Sequence, residues 1–163
     1  MKKIITVDGP AGSGKEKISK YIARKYKLYH LDSGILYRRL AYEIIKKNIK
    51  VSEINNIKNI LKNIKTLSLR KTKVLRMEKI GKAASEIAKL DFVRHFINAQ
   101  QKLATTRPNK KKGFVIDGRD IGSVVFKEAF LKLYVDVDVN IRAKRRYKQL
   151  IDNGEKSIYL KIL

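Results

Sequence analysis

The chain has 163 residues, 44% of them hydrophobic, which suits one domain or a little more with a substantial core. It contains no cysteine, so disulfides and thiolate metal sites are excluded, and no apolar run reaches transmembrane length. The formal charge of +24 invites a nucleic-acid reading, but the 39 basic residues, mostly lysine, are spread along the chain and not gathered on one element among aromatics, as on a solvated surface. A soluble cytoplasmic monomer is expected, with no membrane partner and nucleic acid at most a distant alternative.

Residues 3–7, "KIITV", form a short β-branched run that ends in Asp8-Gly9, and a Gly-rich loop follows at once. From Lys15 to about Tyr26, Ile18, Ile22 and Ala23 recur at helical spacing, so the loop should open a helix. A second short strand is expected around residues 28–31. Asp32 or Ser33 then caps a helix with Leu36, Leu40 and Ile44 on its apolar face. Another amphipathic helix starts near Ser52 and Glu53. Residues 66–77, "TLSLRKTKVLRM", alternate apolar and polar residues and are expected to hold one or two short strands.

"EKIGKAASEIAK" and "DFVRHFINAQQKLA" read as two helices, ended by Arg107-Pro108 and a basic loop. "FVIDGRD" is a further buried strand, "LKLYVDV" (131–137) another, and "VNIRAKRRYKQLIDNG" a last helix closed by Gly154. Strands alternating with helices imply an α/β fold with a parallel sheet, whose ligands bind beyond the carboxyl ends of the strands. Both Asp-Gly tips, Asp8-Gly9 and Asp117-Gly118, should lie at that edge.

Three groups of residues can carry chemistry. The first is the loop Gly9, Pro10, Ala11, Gly12, Ser13, Gly14, Lys15, which matches a phosphate loop up to its lysine. Its glycines let the backbone approach phosphate, its amides and the helix N-terminus attract an anion, and Lys15 can follow a transferred phosphoryl group. The hydroxyl that usually comes next is replaced by Glu16, then Lys17. The bland alternative is a turn that merely joins strand to helix.

In the second group, "DGRD", Asp117 at a strand end suits magnesium, directly or through water, and Arg119 can grip phosphate with its bidentate fork; a charged turn is the alternative. The third, "DSGILYRR", places Ser33 and Tyr37 on one helix face with Arg38 adjacent, fit for a small phosphorylated molecule or simply a capping serine beside a half-buried tyrosine. His30 and His95 sit in no metal or triad spacing, and no catalytic role is expected of either.

"GPAGSGK", "LDSGILYR", "KAASEIAK", "VIDGRDIGSVVF" and "RAKRRYKQL" together resemble bacterial cytidylate kinase, in that family's order and over nearly the whole chain. The resemblance implies a P-loop nucleoside monophosphate kinase fold: one domain, 1–163, with its core at about 1–50 and 76–163 and a shortened nucleotide-binding insert at about 51–75. It implies transfer of the ATP γ-phosphoryl group to CMP or dCMP with Mg2+. It assigns Lys15 and the loop amides to the ATP phosphates, Asp117 to the magnesium shell, and Arg38 and Arg119 to the acceptor phosphate. Ser33 and Tyr37 would line the acceptor pocket, Ser85, Arg94 and Asp120 would read cytosine with Arg76 nearby, and Arg142, Arg145 and Arg146 would begin the lid over ATP.

Glu16 and Lys17 depart from the pattern by removing the magnesium-side hydroxyl, for which Glu16 could substitute through water. The family's remaining lid arginines, with an aspartate, and a final strand and helix are expected after "DNGEKSIY" and do not follow, so a C-terminally truncated fragment that binds nucleotide with little turnover is the alternative.

Overall fold

Two apolar runs pair to make the centre of the sheet. In the computed structural model, which describes residues 3–107 and 111–152, β1 (Lys3–Asp8) lies parallel to β3 (Gly113–Gly118), from Lys3 opposite Gly113 to Asp8 opposite Gly118. β3 is buried at every position, as expected of a central parallel strand covered on both faces. β2 (Tyr29–Asp32) pairs with β3, and β4 (Leu131–Tyr134) pairs with β1, giving a four-stranded parallel sheet in the order β2-β3-β1-β4. Of the strand expected over 131–137, only Leu131–Tyr134 is assigned to the ladder, although Val135 still donates its N–H to Asp8 O at 2.8 Å.

Backbone packing divides the chain into two compact units, Met1–Asp32 with Pro108–Leu163, and Ser33–Arg107. The first holds the sheet, α1 (Lys15–Lys25) and α6 (Val139–Asp152). Ile5, Val7 and Val115 close on Ala23 of α1, with Ile22 and Leu28 packed around them. Strand alternation puts His30, paired with Val115, and Asp32, paired with Asp117, on this same face. A short π-turn, Ile121–Val125, follows β3. Gly154, expected to close the last helix, lies outside the described residues.

The second unit is helical: α2 (Gly34–Lys46), α3 (Ile54–Asn63), α4 (Glu78–Ile87) and α5 (Asp91–Thr106). Leu40, Ile44, Ile57, Leu75, Ile87 and Ile97 are fully buried at its centre. Arg107 ends α5 in extended backbone, the conformation that a following proline demands. Ser33 takes the N-cap position of α2, but its hydroxyl makes no capping hydrogen bond.

The expected strands within 66–77 do not form: the segment is irregular up to Thr72 and then makes one 3-10 turn, Lys73–Arg76. The reason lies in a side chain distant in sequence. Leu67 donates its N–H to Gln100 Oε1 at 2.9 Å, and Gln100 Nε2 donates to Lys65 O at 3.1 Å. A buried side chain thus provides the pairing that a neighbouring strand would have supplied, while the alternating leucines Leu67, Leu69 and Leu75 turn toward the helical core.

Candidate active site

The Gly-rich loop leaves β1 at the carboxyl edge of the sheet and turns directly into α1, whose N-cap, Gly14, is left-handed (φ 91°). Gly12 is also left-handed (φ 77°), and a Cβ there would come within 3.0 Å of Arg142 O. These two positions require glycine because side-chain-bearing residues pay for that backbone. Ser13 donates its N–H to Pro10 O at 3.3 Å, and its hydroxyl is buried with no hydrogen-bond partner among the described residues. The loop is therefore a tight turn set at a helix N-terminus, an arrangement that favours an anion.

Lys15 folds back over this turn, donating from Nζ to Pro10 O at 3.0 Å. Burial holds its ammonium below the usual lysine range, opposed by the nearby carboxylates of Asp117, Asp32 and Asp8, while Arg119 adds to the lowering. A desolvated cation among carboxylates is poised to gain from phosphate oxygens. Glu16 is paired with Lys20 at 2.7 Å, one turn along α1. Lys17 is exposed.

From α6, Arg145 donates to the carbonyls of Gly12 and Ser13, both at 3.1 Å, so it braces the back of the loop. Arg142 donates from Nε to Val137 O at 3.0 Å, and Arg146 bonds Gln149 at 2.9 Å.

The sheet edge beside the loop is acidic. Asp32 and Asp117 are paired across β2 and β3, a like-charge juxtaposition that costs stability unless cations offset it. Lys15 supplies one such charge. The carboxylate of Asp117 is also held by His30, Nε2 to Oδ1 at 2.6 Å, both side chains being nearly buried. Asp8 is spent differently: its two oxygens accept from the N–H groups of Ile121 and Gly122, each at 2.8 Å, and so fix the π-turn after β3.

Among the described residues, no cluster of three or more His, Cys, Asp or Glu side chains could hold a metal alone. Two strand-end carboxylates beside a phosphate loop nevertheless fit Mg2+, which characteristically takes one or two carboxylates and completes its shell with water and substrate phosphate. Arg119 is exposed and Asp120 half-buried, just beyond the end of β3.

The remaining expected residues belong to the helical unit. Ser33 is buried and Tyr37 half-buried, at the start and first turns of α2. Arg38 donates to Leu75 O at 2.8 Å and lies against Gly81 of α4, where a Cβ would come 3.2 Å from its guanidinium. Arg76 is exposed; Ser85, also exposed, bonds Gly81 O at 3.0 Å within α4; Arg94 is half-buried on α5. Asp8 is at the sheet edge as expected, whereas Asp32 was expected only as a helix cap and His30 in no role at the site. Asp8 and Asp32 each end a short apolar run, which was a usable signal for the sheet edge, but the pairing that brings Asp32 and His30 to Asp117 is written in no local stretch.

A family model described as cytidylate kinase matches residues 5–163. The chain is 37% identical over 163 residues to a cytidylate kinase of Bartonella tribocorum, covering 98% of this chain and 73% of that protein. It is 36% identical to the cytidylate kinase of Caldicellulosiruptor saccharolyticus, covering 100% and 76%. The crystal structure of TT1252 from Thermus thermophilus superposes with a TM-score of 0.51 at 14% identity, over 99% of this chain and 76% of that one, a likeness of fold. On the family match and these identities, the chain belongs to the cytidylate kinase family.

Proposed function

We propose that the chain transfers the γ-phosphoryl group of ATP to CMP or dCMP, giving CDP or dCDP, in the cytoplasm. The observation that carries this reading is the phosphate loop set between β1 and α1, with the half-buried Lys15 facing the carboxylate-lined edge of β2 and β3. Similarity to the cytidylate kinases supports the acceptor and favours an active kinase over a fragment that only binds nucleotide.

In this reading the loop Gly9, Pro10, Ala11, Gly12, Ser13, Gly14, Lys15, Glu16 and Lys17, through its amide N–H groups other than at Pro10, and the Lys15 side chain hold the ATP phosphates, with Arg142, Arg145 and Arg146 on the lid side. Arg38 and Arg119 hold the acceptor phosphate. Ser33 and Tyr37 line the acceptor pocket, and Ser85, Arg94 and Asp120, with Arg76 nearby, read the cytosine. Asp117, through water, is the residue to hold Mg2+, with Asp32 beside it. When bound, Mg2+ would neutralise phosphate charge. The protein's own part is positioning and electrostatic stabilisation: donors fixed before the reaction face the oxygens on which charge develops, and no covalent enzyme intermediate is needed.

Calorimetric titration with CMP, dCMP, UMP and AMP tests the acceptor assignment. Tighter binding of the two cytosine nucleotides is expected. Equal affinity for CMP and AMP would remove Ser85, Arg94 and Asp120 from the recognition set.

A further inference from the structure

We propose that His30 is a positioning residue for the reaction, holding the Asp117 carboxylate in the orientation that receives the metal; this rests on the reading of Asp117 as the magnesium-side carboxylate. His30 lies on β2 in register with Val115, two residues short of the Asp32–Asp117 pair and on the same face of the sheet. That offset lets the imidazole reach diagonally across to Asp117, where Nε2 meets Oδ1 at 2.6 Å. A carboxylate only accepts hydrogen bonds, so Nε2 carries the proton and donates it.

The contact is nearly out of solvent, with side-chain exposures of 15% for His30 and 5% for Asp117. The last torsion of an aspartate is soft, with a broad and roughly two-fold preference, so the backbone alone does not fix where its oxygens point. Asp32, Asp117's partner across the ladder, would push it away by like charge. The imidazole ties down one oxygen and leaves the other for a ligand. Carboxylates at metal centres are held in this way by outer partners, whose loss typically costs about 10- to 100-fold in metal affinity or activity. His30 itself touches no reacting atom in this arrangement.

The test compares His30→Leu, His30→Gln and Asp117→Asn with the wild type. Mg2+ is titrated into the protein with a fluorescent ATP analogue, and the Mg2+ midpoint is read beside the affinity measured in EDTA. His30→Leu should raise the midpoint about tenfold or more while leaving the metal-free affinity unchanged. His30→Gln, whose amide can donate from nearly the same place, should stay within a few-fold of wild type. A merely structural histidine would shift both affinities together and gain nothing from glutamine.

If Asp117→Asn raises the midpoint and His30→Leu does not, the positioning role is wrong and the metal reading stands. If Asp117→Asn has no effect, the metal reading falls and takes this inference with it. Should the variants not fold, 15N-labelled wild-type protein still decides: a slowly exchanging Nε2 proton on His30 is expected, and a rapidly exchanging one overturns the proposal.

Discussion

Lys15 concentrates the chemistry of the loop in one side chain. It is lysine-like in reach but held below the ordinary lysine range, because burial strips water from its ammonium more than the neighbouring aspartates compensate. Replacing it with methionine should weaken ATP binding by about ten- to a hundredfold, the scale of one or two lost charge-assisted hydrogen bonds. Titration with a fluorescent ATP analogue reads the loss directly.

The sign of the shift predicts a pH effect. In the free protein Lys15 loses its proton at lower pH than an unfolded lysine, whereas bound phosphates favour the charged form. In the alkaline window below the usual lysine value, ATP binding should therefore take up a proton, and affinity should fall as pH rises. Calorimetry in buffers of different ionisation enthalpy measures the uptake, which Lys15→Met should abolish. The same linkage gives the folded state a cost from Lys15 that is present at lower pH and relieved as pH rises toward the unfolded value. At Gly12, alanine must adopt a left-handed backbone, about 1–2 kcal/mol, and press its Cβ toward the backbone of Arg142. Gly12→Ala should lose ATP affinity.

At the scale of elements, local pattern was legible where an element is fixed by its own residues and illegible where a distant side chain decides. The strand–loop–helix from β1 to α1 could be read because β-branched residues, then glycines, then a helical repeat each favour their own backbone. The alternation in 66–77 was equally visible and misled, because period-two patterning needs a partner strand and Gln100 stands in its place. The phosphate loop could likewise be read from its spacing. The Asp32–Asp117 pairing could not, because strand order and register arise only when the sheet assembles. Gln100 deserves its own test. Gln100→Leu leaves the buried Leu67 N–H without its acceptor, so denaturant unfolding should show a loss of about 1–3 kcal/mol. An unchanged midpoint would mean that the 65–67 segment is held by other means.

At the scale of the molecule, the sheet's β4 edge is apolar and, among the described residues, has no further strand paired to it: Leu131 and Tyr134 are exposed, with Phe130 just before them. Such an edge can template pairing with another chain, and charge is the usual guard; here Lys132 sits on the strand itself and the whole chain carries +24. Salt weakens that guard, since the Debye length falls from about 30 Å at 0.01 M to about 10 Å at 0.1 M. Light scattering should therefore rise as NaCl is added at constant protein concentration, and replacing Leu131 with lysine should suppress the rise.

The Gly-rich loop and the acidic sheet edge fit phosphoryl transfer from ATP, the family match supports a cytosine nucleotide as the acceptor, and the most direct test follows the phosphorus. The purified chain is mixed with γ-labelled ATP, Mg2+ and CMP, and the nucleotides are separated. Label should appear in CDP, and its appearance should depend on Lys15. ATP bound with unchanged affinity but no label reaching CDP would contradict the kinase reading.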